Sequence, residues 1–176
     1  EDLQVHFGKK DPKADDTTYQ PIIALFSIAA LLALAFAWVA LPSVFAWQTL
    51  GWFISISMVL LGLQKLKDIE SFSTMFLNYD LLAKRWVRYG YGYPFVETGA
   101  GLLMTATILP WLSIPGALFI GTVGAVSVIK AVYIDKRELK CACVGGDSNV
   151  PLGFVSLTEN LMMVGMAVVM TIVIFT

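Results

Sequence analysis

Two cysteines separated by a single residue are the most reactive pair in this sequence. Cys141 and Cys143 are its only cysteines, and two glycines follow them closely. Thiols at this spacing can cycle between a dithiol and a disulfide, because so small a ring is strained and easily reduced. They can also bind a soft ion such as Cu(I) through two thiolates. A third interpretation is that they are ordinary loop cysteines.

Basic residues precede this pair along the chain. Lys136, Arg137 and Lys140 lie within five residues of Cys141, and nearby positive charge favours the thiolate over the thiol. Since the thiolate is the form that attacks disulfides and binds soft metals, the pattern suits either chemistry. The chain is therefore a candidate thiol-disulfide oxidoreductase, although these residues do not by themselves establish an enzyme.

Three ionisable residues fall inside otherwise apolar segments: Glu97, Lys130 and Glu159. A carboxylate in a membrane span is costly and is usually functional or paired. The functional interpretation is a polar pocket under the cysteine loop, in which a carboxylate moves protons for the thiols. The structural interpretation is that a glutamate pairs with Lys130 or lies at a helix start, where negative charge is favourable.

Other chemistries find little support in the residue types. His6 is the only histidine, which excludes a histidine-based triad or a histidine-rich metal site within this chain. The net charge of -1 gives no electrostatic reason to expect nucleic acid as a partner. Four methionines near the C-terminus can be soft copper ligands, but we expect them to fill the core: Met162, Met163, Met166 and Met170.

Composition indicates that this is an integral membrane protein. Of the 176 residues, 57% are hydrophobic and 14% are charged, whereas a soluble domain carries about 25% charged residues. From Thr17 to Gln64 there is no Asp, Glu, Lys or Arg. We therefore expect the lipid bilayer to surround an all-α bundle of about five transmembrane helices. The predicted spans are residues 21–41, 45–63, 94–112, 117–134 and 154–175, with residues 1–20 as a polar tail or linker.

Two connections between these spans carry specific expectations. Residues 113–116 predict a tight turn, because they combine serine, proline and glycine. Residues 64–93 form a charged loop in which apolar side chains recur at helical spacing, which predicts an amphipathic helix lying on the membrane or on the bundle. Those apolar positions are Ile69, Phe72, Phe76, Tyr79, Leu82 and Ala83.

Basic residues predict the orientation of the chain. All 12 Lys and Arg residues lie in the N-terminal tail, in the loop after the second span, or around the loop that holds the cysteines. Five spans place these three regions on one side, which the positive-inside rule assigns to the cytoplasm. The sequence thus predicts a multi-pass protein of the bacterial inner membrane, with the N-terminus and the cysteine loop cytoplasmic and the C-terminus periplasmic.

Three motifs resemble the MauE branch of the DoxX-like membrane proteins. They are residues 62–68 leading to Phe72, residues 97–103, and residues 141–145 with the cysteine pair. The resemblance implies a four-helix bundle over residues 45–176, with Glu97 opening its second helix and the span 21–41 as an addition. Many members have Gly and Phe where this chain has Ala142 and Val144, a mild departure because both cysteines are kept.

The first eight residues are similar to the last helix of a glutaredoxin. Some MauE-like proteins are fused to such a domain, so this chain, which begins at Glu1 without a methionine, is expected to be the membrane part of a fusion. The resemblance implies thiol-disulfide exchange with a glutaredoxin-type partner, which receives its electrons from glutathione. It also implies participation in a membrane redox complex. MauE itself is implied in maturing a disulfide-rich dehydrogenase subunit in methylamine utilisation.

Three functions follow from these observations. The first is a membrane thiol-redox protein that uses Cys141 and Cys143. The second is a soft-metal binding or transport protein for copper or mercury, with the same two cysteines as ligands. The third is a non-catalytic scaffold for a redox complex. We favour the first, since ion transport normally needs more polarity at mid-depth than three ionisable residues near one face provide.

The orientation is testable with reporters of membrane sidedness. A reporter attached at Gly8 is expected to be cytoplasmic and one attached after Thr176 periplasmic, because the basic residues hold the loops between them on one side. Two reporter enzymes, one active only in the periplasm and one active only in the cytoplasm, show on which side of the membrane each terminus lies. Two reporters on the same side would contradict the five-span topology.

Overall fold

The structure is a computed structural model and describes residues 19–44, 46–139, 141 and 151–175. Six α-helices occur among these residues, and a π-helical turn, Ile129–Ile134, continues the fifth. The expected all-α membrane bundle is confirmed. The helices are α1 (Gln20–Ala40), α2 (Trp47–Lys67), α3 (Ile69–Leu77), α4 (Val87–Thr105), α5 (Pro110–Val128) and α6 (Phe154–Phe175).

The long helices alternate in direction. Along α2 and α4, Gly62 packs on Thr98 while Gly101 packs on Ser55, so the two helices are antiparallel. The contacts of α6 with α5 and with α2 show that α6 is antiparallel to both of these helices. Residues 41–46 and 106–109 join α1 to α2 and α4 to α5, and links this short connect antiparallel neighbours. The start of α1 and the end of α6 therefore lie at opposite ends of the bundle.

Four helices are long and apolar enough to cross a membrane: Gln20–Ala40, Trp47–Lys67, Pro110–Ile134 and Phe154–Ile172. Helix α4 falls outside this group because its composition is less apolar, and its polar residues face inward. Glu97 and Thr98 are buried in the bundle, whereas Phe95, Val96 and Leu102 are exposed on its outer surface. An apolar exterior around polar contacts is the arrangement expected of a helix packed among membrane spans.

The expected boundaries of the third and fourth spans are wrong. The turn between α4 and α5 lies at residues 106–109, not at 113–116, and Pro94 and Pro115 lie inside helices. Thr107 and Leu109 supply the reversal with φ values of 55° and 50°. Neither is a residue type that favours positive φ, so the local sequence marks the turn only through Pro110 at the start of α5. Proline inside a membrane helix is tolerated when neighbouring helices and side chains satisfy the freed backbone groups.

The amphipathic segment packs on the bundle as the short helix α3. The carboxylate of Asp68 caps its first turn by accepting a hydrogen bond from the N–H of Ser71, at 3.1 Å. Phe72 and Phe76 are almost fully buried, and Tyr79, just beyond the end of the helix, is buried with them. Helix α3 therefore closes the end of the bundle at which α2 finishes and α4 begins.

Close approach of α2 and α4 can be tested at two neighbouring glycines. A Cβ atom on Gly101 would lie 2.8 Å from the backbone oxygen of Ser55, whereas one on Gly99 would meet nothing within 4 Å. Gly101→Ala is therefore expected to destabilise the bundle by about 1–3 kcal/mol, as overpacking does. Gly99→Ala is the matched control and should cost nothing, since alanine favours helix. Thermal unfolding in detergent micelles compares them, and equal effects would show that this contact is not tight.

Candidate functional site

Three ionisable side chains meet inside the bundle, one each from α2, α4 and α6. The Lys65 ammonium donates to both carboxylate oxygens of Glu97, with Nζ–Oε distances of 2.9 and 2.7 Å. It also donates to Oε1 of Glu159. The three side chains are 3%, 0% and 4% exposed. We call this group the charged cluster.

Each member is positioned by the helix that carries it. Lys65 lies in the last turn of α2 and Glu159 in the second turn of α6, so each charge lies at the helix end whose dipole favours it. Glu97 lies near the middle of α4, because the first turns of α4 extend past α2 to pack on α3. The cluster therefore lies near the end of the bundle that α3 closes.

Aromatic rings cover the charged cluster on the side of α3. The Lys65 ammonium lies 5.2 Å from the ring centroid of Tyr93 and 5.9 Å from that of Phe72, both within cation–π range. Phe76 stacks on Phe72 at 5.0 Å and packs on Tyr93 at 4.8 Å, and Tyr79 meets Phe76 edge to face. These four rings, the aromatic cap, keep solvent away from the charges.

A small polar chamber adjoins the charged cluster under the cap. Tyr93 Oη donates to Asn160 Oδ1 at 3.3 Å, and Asn160 Nδ2 donates to the carbonyl oxygen of Ser156 at 2.7 Å. Tyr79 also lines the chamber. Burial raises the pKa of its phenol well above the usual range, so this group stays neutral. The chamber has a volume of about 10 Å³, close to the space that one water molecule needs.

The structure brings two of the predicted site residues together and places a third elsewhere. Glu97 and Glu159 share one partner, as expected of paired carboxylates, but the expected pairing with Lys130 is wrong. Lys130 is exposed on the π-helical turn that follows α5. Lys65 takes its place. The sequence places Lys65 in the charged loop, and this prediction is wrong because α2 extends four residues beyond the predicted end of its span.

The signal that could have identified Lys65 was present in the family motif at residues 62–68. A lysine in the last turn of a membrane helix normally extends toward the interface, so its charge alone suggests a solvated loop. Burial of Lys65 becomes favourable only because Glu97 and Glu159, on the facing helices α4 and α6, pair with its ammonium.

Cys141 is more deeply placed than the sequence suggested. We expected its loop to lie outside the core, yet its side chain is 0% exposed and belongs to the same contiguous core as the aromatic cap. Cys141, the one cysteine among the described residues, is not a free thiol. Cys143 lies outside the described residues. Arg137 anchors the preceding segment by donating from Nη1 to the carbonyl oxygen of Asn78 at 2.7 Å.

A third buried carboxylate, Asp80, was not anticipated. Its Oδ1 accepts from the backbone N–H groups of Leu82 and Ala83, at 2.9 and 2.8 Å, and so organises the turn that leads into α4. Burial raises the pKa of this carboxyl above its usual value. These contacts give Asp80 a structural role. In the part of the chain that the structure describes, no three His, Cys, Asp or Glu side chains converge to hold a metal ion.

Comparison with known proteins gives one finding. A family model described as methylamine utilisation protein MauE matches residues 42–173. The match covers α2 to α6 and begins after α1. No curated protein and no solved structure matches the chain significantly.

Removing the central cation is expected to be severe. Lys65→Met leaves two buried carboxylates without a partner and should cost about 3–5 kcal/mol, the usual cost of breaking a buried ion pair. Lys67→Met, at an exposed position in the same turn, is the matched control and should change stability by less than about 0.5 kcal/mol. Unfolding in detergent micelles measures both.

A neutral triple variant separates pairing from packing. Combining Lys65→Met with Glu97→Gln and Glu159→Gln should recover much of the lost stability, because no buried charge then remains. A triple variant as unstable as Lys65→Met alone would mean that shape, not charge, holds these helices together.

Proposed function

Because the chain belongs to the MauE family, we propose that this multi-pass membrane protein exchanges electrons between its Cys141–Cys143 pair and a glutaredoxin-type partner. The family description supports a role in methylamine utilisation, and the proposal extends this to the maturation of a redox enzyme of that process. The observation that carries the proposal is the state of Cys141, which is buried in the core and is not a free thiol.

The electrons and protons of this exchange balance between the cysteine pair and the dithiol of the partner, with no further reactant. A thiolate of the reduced partner attacks the disulfide of the pair, forming a mixed disulfide and releasing one thiolate. The second thiol of the partner then displaces the remaining sulfur. The membrane protein gains two electrons and two protons and becomes a dithiol, while the partner becomes a disulfide. Glutathione can serve as the electron donor that reduces the partner again.

Burial of Cys141 imposes a condition on this exchange. A protein partner cannot reach a sulfur that is 0% exposed, so attack on Cys141 requires its segment to leave the core. The contact of the Arg137 side chain with the carbonyl oxygen of Asn78 anchors the segment before Cys141 and would oppose such a movement. Exposed Lys136 and Arg137 lie beside exposed Asp135 and Glu138, so the described surface of this segment carries no net positive charge.

Orientation supports a cytoplasmic partner. The segment around Cys141 joins α5 to α6 at the end of the bundle that α3 closes, and the basic residues cluster in the sequence around the same connections. The positive-inside rule assigns that side to the cytoplasm, where glutathione and glutaredoxin keep thiols reduced. Oxidised protein would therefore be reset there after each cycle.

Redox titration of the intact protein tests the proposal. We expect two thiols to appear together as the ratio of reduced to oxidised glutathione rises, and glutaredoxin to accelerate their appearance. Cys143→Ala should abolish the paired transition and leave one thiol that forms a mixed disulfide with glutathione. A gel-shift thiol reagent counts the free thiols at each ratio of reduced to oxidised glutathione.

The matched variant at the other position needs a stability measurement. Cys141→Ser places a hydroxyl in the core and is expected to cost about 1–3 kcal/mol, so loss of exchange in that variant is interpreted only if it remains folded. Absence of a disulfide at any poise, with tight Cu(I) binding against a chelator, would replace the redox function with soft-metal binding. Absence of both would leave a non-catalytic scaffold.

A further inference from the structure

The charged cluster carries more negative than positive charge. Two carboxylates, Glu97 and Glu159, share the single ammonium of Lys65, which gives a net charge of -1 if all three are ionised. All three side chains are at least nine-tenths buried. An uncompensated charge in such a place is unfavourable by several kcal/mol, so a further positive charge is expected to be bound.

The groups that face the cluster do not provide this charge. Helix α4 adds the neutral Tyr93, α6 adds Asn160, and the connection after α3 adds the neutral Tyr79; α3 itself contributes the ring of Phe72. Among the described residues, the ion pairs are those that Lys65 makes with these two glutamates. Lys130, the other candidate cation, is exposed elsewhere.

Proximity of the two carboxyl groups indicates which ligand supplies the charge. Glu97 and Glu159 each place a carboxylate oxygen within hydrogen-bonding distance of the same Lys65 Nζ, so the two carboxyl groups are close neighbours in a buried site. Ionised carboxylates only accept hydrogen bonds, so two of them can bond to each other only when one carries a proton. Carboxylates that share a site commonly retain one proton between them for this reason.

We propose that the charged cluster is a binding site for one exchangeable proton, shared by Glu97 and Glu159 and balanced by Lys65. The adjoining chamber, with space for about one water molecule, gives the proton a neighbour with which to exchange. The site lies in the same core as Cys141, yet the inference does not depend on thiol chemistry, so either proposal can fail without the other.

Infrared spectroscopy of the intact protein in lipid vesicles tests the site at neutral pH. We expect the carbonyl stretch of an un-ionised carboxylic acid, with an intensity of one group per chain from the cluster. Labelling the carboxyl carbon of glutamate with ¹³C should shift this band. The same labelling of aspartate should not, which separates the cluster from the other buried carboxyl, Asp80.

Variants identify the carboxyl groups concerned. Glu97→Gln or Glu159→Gln should abolish the glutamate band, because the remaining carboxylate then pairs with Lys65 and needs no proton. Glu70→Gln, at an exposed position on α3, is the matched control and should leave the band unchanged. If a Gln variant fails to fold, the isotope shift in the unsubstituted protein still decides the matter. Absence of a glutamate band at neutral pH would overturn the proposal, and stabilisation by added Na⁺ or K⁺ would assign the missing charge to a metal cation.

Discussion

One ammonium shared by two carboxylates is the contact on which the rest of this bundle depends. Lys65, Glu97 and Glu159 come from three helices, so their pairing is compatible with only one rotation and depth of α2, α4 and α6. The alternative is a charge facing hydrocarbon, which costs a few kcal/mol even on insertion scales. Exchange of the pairs for apolar side chains could leave the stability similar. The cluster therefore explains the register of the helices better than it explains their stability.

The surroundings of the cluster are built to keep these charges dry and close. Short helix α3 brings Phe72 over the ammonium and stacks Phe76 on Phe72, and these rings exclude water and leave the ion pairs in a medium of low polarity. Small residues let the helices approach closely. A Cβ on Gly62 of α2 would collide with Thr98 of α4, and one on Gly124 of α5 would collide with Asn160 of α6. The same packing leaves Gly99 and Gly165 in open space, so abundance of glycine alone does not identify an interface.

The two ends of the bundle differ in chemistry. The end closed by α3 holds the charged cluster, the polar chamber and Cys141 in one continuous core. The other end has an apolar cavity of about 440 Å³, lined partly by Trp47, Trp52 and Met166. Met163 is buried in the core, which agrees with methionine as filler on α6. Among the described residues, the buried ionisable groups and Cys141 thus lie at one end, whereas the cavity at the opposite end is lined mainly by apolar side chains.

The sequence by itself determined the class of the protein, since long apolar segments can be stable only as membrane helices. It also determined which residues are unusual, because Glu97, Glu159 and the cysteines stand out within their surroundings. Tertiary structure alone decided the partner of the glutamates, the burial of Cys141 and the turn at Thr107 and Leu109. Pairing depends on which helix faces meet, and burial on what covers a loop. Neither is encoded in the spacing of residues along one segment, so a lysine at a helix end appears solvated until the facing helices bring two carboxylates to it.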